Sequence, residues 1–230
     1  MKALLLDLDD TLVTYGPGAD TLWLHLARAA GAATLPDDQL LPALREAKRW
    51  MWHTPEQHRR TRVNARASWA TVSRLAFQAC GLALSDAAAD HLAGHYLGQL
   101  ITHLELLPGA REALVTWHRR GLPLALVTNG DGRVQREKLA RHNLAGYFTA
   151  LVFESEAGGG KPDAAIYRQA LAQLGVAPAD AWMAGDNLEF DVAGPQRVGR
   201  PDPGLGAWAG GTHGMSSRLR WWGPSASGQP

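Results

Sequence analysis

Lys2-Ala3-Leu4-Leu5-Leu6-Asp7-Leu8-Asp9-Asp10-Thr11-Leu12 carries a short apolar run that ends in three carboxylates within four positions. A run of this length bounded by polar residues reads as a strand buried on both faces. Its acids then fall at the carboxyl end of the strand, where open α/β sheets place their ligands. Asp7 and Asp9 point the same way if the strand continues, roughly 6–7 Å apart. Carboxylates held that close repel, so the stretch requires a counter-charge: a divalent cation, a lysine or both. Asp also favours turns, and the plainer reading is a strand-to-turn punctuation. Three later segments decide between the two.

Downstream, residues 15–102 read as nearly all helix. Thr14-Tyr15-Gly16-Pro17-Gly18 is a turn-rich break. Asp20 is placed to cap a helix that Gly31 stops, and Pro36-Asp37-Asp38 starts a second. Thr54-Pro55-Glu56 starts a third, with Pro at its first position, and a single helical pattern runs on to Cys80. Ser85-Asp86 caps the last. From Leu106 the register changes. Leu122 to Val127, Leu151-Val152-Phe153 and Ala181 to Ala184 read as buried strands, separated by the helices Arg133 to His142 and Ala164 to Leu174. Strand and helix in alternation argue a parallel sheet. The predicted fold is therefore α/β: a Rossmann-like parallel core with helices on both faces (residues 1–14 and 103–198), interrupted by an all-helical insertion (15–102). Residues 199–230 are rich in Gly, Pro, Trp and Ser and show no helix period. They read as a poorly ordered tail, although Trp208, Trp221 and Trp222 are large enough to dock on the body.

Composition narrows the partners. With 46% apolar and 20% charged residues this is an ordinary globular chain, and a net charge of +1 gives no reason to expect a nucleic acid or an acidic membrane. The single cysteine, Cys80, has no partner for a disulfide and forms no thiolate metal site. Leu4-Leu5-Leu6 is too short for a leader or a membrane span. The expected location is the cytoplasm, as a monomer or homodimer.

The polar strand ends are Asp7 and Asp9, Thr128 and Asn129, Lys161, and Asp186 with Asp191. In a parallel sheet they share one edge. Together they offer a nucleophile, a hydroxyl, a cation and a second acidic pair, which is what aspartate-based phosphoryl transfer needs. A carboxylate attacks phosphorus, and a second acid protonates the leaving oxygen and later activates water. Magnesium neutralises the charge between nucleophile and phosphate. Lysine and threonine hold the remaining phosphoryl oxygens.

The stretches Asp7-Leu8-Asp9-Asp10-Thr11-Leu12, Val127-Thr128-Asn129-Gly130, Gly160-Lys161-Pro162 and Gly185-Asp186-Asn187-Leu188-Glu189-Phe190-Asp191, in this order, resemble the four motifs of the haloacid dehalogenase superfamily. The branch resembled carries a helical cap inserted after the first motif, and the resemblance covers roughly residues 1 to 198. It implies that Asp7 is the nucleophile and a magnesium ligand. It implies that Asp9 is the general acid/base, with its carbonyl on the metal. Thr128, Asn129 and Lys161 would bind the phosphoryl group, and Lys161 would also stabilise the nucleophile. Asp186 would ligate the metal and Asp191 support it. Asp10 matches a position that is often Gly in the family and reads as structural. Members that cleave carbon–halogen bonds lack the acid two residues after the nucleophile; Asp9 is present, so phosphate-ester hydrolysis is favoured.

The expected function is thus a magnesium-dependent phosphatase acting on a small phosphorylated metabolite. A phosphosugar mutase uses the same core, and a non-enzymatic binding protein on this scaffold is the reading from outside enzymology. Substrate choice falls to the insertion, where Arg62, Arg66 and Trp69 lie at i, i+4 and i+7 on one helix face. An arginine pair beside a tryptophan suits an acidic or sugar-like substrate; the alternative is a solvated basic face with Trp69 packed inward. The tail departs from the family pattern at Pro201 and Pro203, as a frameshifted or truncated end would, or a divergent one.

Overall fold

The computed structural model describes residues 1–16 and 18–198, and the backbone of 220–222. Strand β1 (Ala3–Leu6) is buried along its whole length, as an apolar run flanked by two parallel neighbours must be. It ends at Leu6, and the chain turns at once. Leu8 O accepts from the amides of Thr11, Leu12 and Val13, and Asp10 sits at φ 55°. Asp is among the few non-glycine residues that tolerate this left-handed conformation. Its Oδ1 accepts from the Thr14 hydroxyl at 2.9 Å, so Asp10 is structural, as read from sequence.

β2 (Val13–Tyr15) leads into the first of two compact units, residues 15–105. This unit is helical: α1 (Ala19–Ala27), α2 (Asp37–Arg49), α3 (Pro55–Val63), α4 (Ala65–Ala79) and α5 (Asp86–Thr102). Thr54 and Ser85 cap α3 and α5 through their side chains, as their positions predict. Asp20 does not cap α1. Its carboxylate accepts from Lys48 of α2 at 2.9 Å, and Gly18 stands at the helix start. Trp23, Leu40, Leu44, Val72, Phe77 and Tyr96 fill the core of this unit. Trp23 Nε1 donates to Ser73 Oγ at 3.2 Å, so the largest buried ring leaves no orphaned donor.

The single helix expected from residue 56 to residue 80 is two helices. Asn64 breaks it, at φ −126° and ψ 54°, and donates its side-chain amide back to Arg60 O at 3.0 Å. A side chain that bonds the preceding turn gives the backbone an alternative to continuing the helix. Ser68 Oγ then donates to Thr61 O across the break at 2.9 Å.

β3 (Leu104–Leu106) pairs with β2, so the chain leaves and re-enters the second unit through one two-stranded ribbon. The crossing at 105–106 lies three residues later than the helix end alone would place it. The second unit comprises residues 1–14 and the chain from 106 onward. It continues with α6 (Ala110–Arg119), β4 (Leu124–Thr128), α7 (Gly132–Arg141), β5 (Ala150–Phe153), α8 (Glu154–Ala157), α9 (Ala164–Leu174), β6 (Ala181–Gly185) and α10 (Gly194–Gln196). The sheet order is β5-β4-β1-β6, all parallel. β7 (Arg220–Trp222) adds an antiparallel strand beside β6. The remainder of the expected tail lies outside the described residues.

β1 is central, with Leu6 level with Leu126 on one side and Ala184 on the other. Residues that follow β4, β1 and β6 are therefore neighbours in space. Leu5, 3% exposed, packs in the core with Val127, Ile166, Tyr167 and Met183. Leu5→Ala removes methylenes from that centre and is expected to cost about 2–5 kcal/mol, read as a lowered midpoint in urea denaturation.

Candidate active site

Four loops meet at the carboxyl edge of the sheet. Asp7 follows β1 directly, and its amide donates to Ala184 O at 3.0 Å, which extends the pairing by one residue. Its carboxylate is 2.8 Å from Lys161 Nζ. Lys161 reaches Asp191 Oδ1 at 2.7 Å as well. The ammonium is 2% exposed and Asp191 is fully buried, so this cation sits between two carboxylates out of water. Asp191 is held from its other side by the Asn187 amide, which donates to Oδ2 at 3.0 Å. Asn187 Oδ1 caps the following turn, accepting from Glu189 N and Phe190 N. Gly185 is required by this packing, because a Cβ there would collide with the Asp191 carboxylate.

Asp186 is exposed beside this pair. Oxygens of Asp7, Asp186 and Asp191 all lie within 4.8 Å of one another. Three carboxylates face one ammonium, which leaves two negative charges uncompensated when all are ionised. Burial raises the Asp7 carboxyl to about 7, helped by the Asp191 and Asp9 carboxylates and opposed by Lys161. Burial and the Asp191 charge push Asp186 up too. Burial pulls the Lys161 ammonium down, but the Asp7 and Asp191 carboxylates outweigh it and the net direction is up. An oxygen-only cluster with this deficit fits a hard divalent cation.

Thr128 ends β4, is 1% exposed and accepts from Gln135 Nε2 at 2.7 Å. Asn129 binds the Lys161 backbone in both directions: Nδ2 donates to Lys161 O at 2.9 Å, and Oδ1 accepts from Lys161 N at 2.7 Å. This clamps the lysine loop to β4 and, among the described residues, leaves one Asn129 amide hydrogen over. Gly160 permits the clamp, since a Cβ there would lie 2.6 Å from Asn129 Oδ1 and would collide with Glu154.

Asp9 does not share Asp7's cation. It turns to α7, where Lys138 Nζ lies 2.7 and 2.8 Å from its two oxygens and Gln135 Nε2 lies 2.9 Å from Oδ2. The even i, i+2 spacing thus separates two carboxylates onto two ammonium groups, because β1 ends before either acid. Gln135, Lys138 and the buried Glu154, which accepts from Gly130 N at 2.9 Å, were not singled out from sequence. The signal for the first two is that α7's buried positions 132, 135, 138 and 139 follow helical spacing, yet two of the four carry polar side chains.

The proposed specificity residues belong to the helical unit. Arg62 lies in the last turn of α3 while Arg66 and Trp69 lie on α4, so the break at Asn64 removes their common face. Arg66 makes two bonds to Asp90, at 2.8 and 2.6 Å. Trp69 packs on Tyr96 with ring centres 4.4 Å apart and the rings tilted at 56°, against the helical core. Among the described residues no helix is long and apolar enough to cross a membrane.

Comparison with known proteins places these observations. The haloacid dehalogenase-like hydrolase family matches residues 1–199. The chain is 36% identical over 217 residues to the phosphoserine phosphatase of Thermus thermophilus, covering 86% of each protein. It is 26% identical over 206 residues to the glyceraldehyde 3-phosphate phosphatase of Pyrococcus furiosus, covering 86% of this chain and 78% of the relative. Its fold superposes on the HAD-hydrolase YfnB of Bacillus subtilis with a TM-score of 0.65 at 21% identity, over 86% of this chain and 83% of the other.

Asp7 yields a pH prediction for the metal-free protein. Its carboxyl is raised in the folded state, from 3.8 to about 7. The stability this contributes is fully present below about pH 4 and is lost as pH rises to about 7. Thermal midpoints measured in chelator should fall across that window. Asp7→Asn should flatten this part of the slope, since one pKa unit corresponds to about 1.4 kcal/mol.

Proposed function

Because the chain belongs to the haloacid dehalogenase-like hydrolases, we propose that it is a magnesium-dependent phosphatase that hydrolyses a small phosphorylated metabolite through an aspartyl phosphate on Asp7. The observation that carries this reading is Asp7 bound to the buried Lys161 beside Asp186 and Asp191, at the sheet edge that also bears Thr128. The phosphatase relatives support the class of reaction, and the phosphoserine phosphatase, similar over most of both chains, points to a small phosphomonoester.

In this mechanism Asp7 Oδ attacks phosphorus as the bond from phosphorus to the ester oxygen breaks. The leaving oxygen keeps the electron pair and takes a proton from Asp9. Thr128, Lys161 and the remaining Asn129 amide hydrogen hold the phosphoryl oxygens, so most of the catalytic effect is positioning and electrostatics. Asp9, now a carboxylate, takes a proton from water, whose oxygen attacks the phosphorus of the aspartyl phosphate. Inorganic phosphate leaves and Asp7 is restored. Magnesium, held by Asp7, the Asp9 carbonyl and Asp186 with Asp191 in support, would supply the positive charge that lets two anions approach. Lys161 and this charge both favour the ionised Asp7 that the attack requires. We assign substrate choice to the inserted helical unit, the role of a cap in this family. Of the specificity candidates there, Arg66 and Trp69 are held by Asp90 and Tyr96.

Release of phosphate from p-nitrophenyl phosphate should require magnesium and cease in chelator. Asp7→Asn should lower turnover by about a thousandfold or more while leaving the circular dichroism spectrum unchanged. Activity retained in that variant would remove Asp7 as nucleophile. Isomerised sugar phosphate in place of inorganic phosphate would show a mutase.

A further inference from the structure

Helix α7 puts polar residues where it faces the protein interior. Gln135 is 2% exposed and Lys138 5%. A lysine ammonium this enclosed is costly unless paired, and here it meets both oxygens of Asp9 at 2.7 and 2.8 Å. Gln135, one turn earlier, points Nε2 at Asp9 Oδ2 (2.9 Å), Thr128 Oγ1 (2.7 Å) and Asn129 O (3.0 Å). One helix face thus ties the acid that follows β1 to the hydroxyl that ends β4.

We propose that Lys138 and Gln135 are positioning residues that orient the Asp9 carboxyl for proton transfer and hold it in register with Thr128; the inference rests on the phosphatase reading. Asp9 needs such help. It lies beyond the end of β1, and its side chain is 39% exposed, so packing alone does not fix its two side-chain torsions. Proton transfer requires the donor oxygen within about 2.6–3.2 Å of the leaving oxygen. A misplacement of about 1 Å can cost a hundredfold in rate. The bonding pattern also selects the oxygen. Oδ2 accepts from both Gln135 and Lys138, and Oδ1 from Lys138 alone among the described residues, so Oδ1 retains the lone pair that carries the proton. A merely structural ion pair would stabilise the fold without regard to the leaving group. A positioning pair acts only where the leaving oxygen needs a proton.

Phenyl phosphate and p-nitrophenyl phosphate separate these roles. They are similar in size, but the nitrophenolate departs readily without a proton and the phenolate does not. Lys138→Met should lower kcat/KM for phenyl phosphate about tenfold more than for p-nitrophenyl phosphate, part of the 10²–10⁴ that general acid catalysis supplies. Asp9→Asn should widen the same ratio, and adding Lys138→Met to it should change the ratio no further. Gln135→Met leaves no unpaired charge and is read by the same ratio, so a Lys138 variant that folds poorly still leaves a test. Equal losses on both substrates, or full additivity with Asp9→Asn, would overturn the inference while leaving the phosphatase reading standing. Wild-type protein inactive on both substrates, with magnesium present and the fold confirmed, would overturn that reading and this inference with it.

Discussion

The buried ammonium of Lys161 is the constraint on which the site depends. It touches Asp7 and Asp191, and without it two carboxylates would share a water-poor space with no compensating charge. Neither acid has an equivalent apolar replacement that keeps the chemistry, so the protein must hold the lysine in place. It does so through the backbone: Asn129 grips Lys161 on both its amide and its carbonyl, and Gly160 lets that grip close. The lysine loop has no strand of its own before it, and this clamp does for it what hydrogen-bonded pairing does for the others.

The arrangement also divides its charges. Two acids that are neighbours in sequence serve two different lysines, Asp7 that of the α8–α9 loop and Asp9 that of α7. The separation suits the roles proposed for them. A nucleophile must be ionised and dry, whereas an acid/base must exchange protons and therefore sits at the more open edge. Asp7 is enclosed and Asp9 is half-open to solvent. Active-site charge of this kind is held against the preference of the fold, since burial and Asp191 both disfavour the ionised Asp7.

Much of this was legible before any coordinates. Leu4-Leu5-Leu6 and Leu124 to Val127 are short apolar runs bounded by polar residues, the pattern of buried strands, and each runs into its polar group at the expected end. The three motifs that follow strands therefore converged as the parallel topology requires, and the Asn129 clamp brings the lysine loop to them. What sequence could not resolve was local competition between similar signals. Asn64 reads as one polar residue inside a helical period, and only its bond to Arg60 O shows that it ends one helix and lets another begin. Arg62 and Arg66 consequently lost the shared face that their spacing implied. Gln135 and Lys138 were hidden for the opposite reason. On an exposed helix they would be ordinary, and their burial follows from tertiary packing that no local pattern encodes.

The ribbon of β2 and β3 has a consequence for how such a chain changes over generations. Because the ninety-one residues 15–105 begin and end side by side, the sheet meets them as one short closed loop, whatever their length. The entropic charge for closing a loop grows only logarithmically with its size. Insertions, deletions or wholesale exchange between these two anchor points therefore weigh little on the strands that carry the chemistry. Under the proposed function, the reactive edge is free to stay constant while what it is offered to react with is renegotiated elsewhere in the chain.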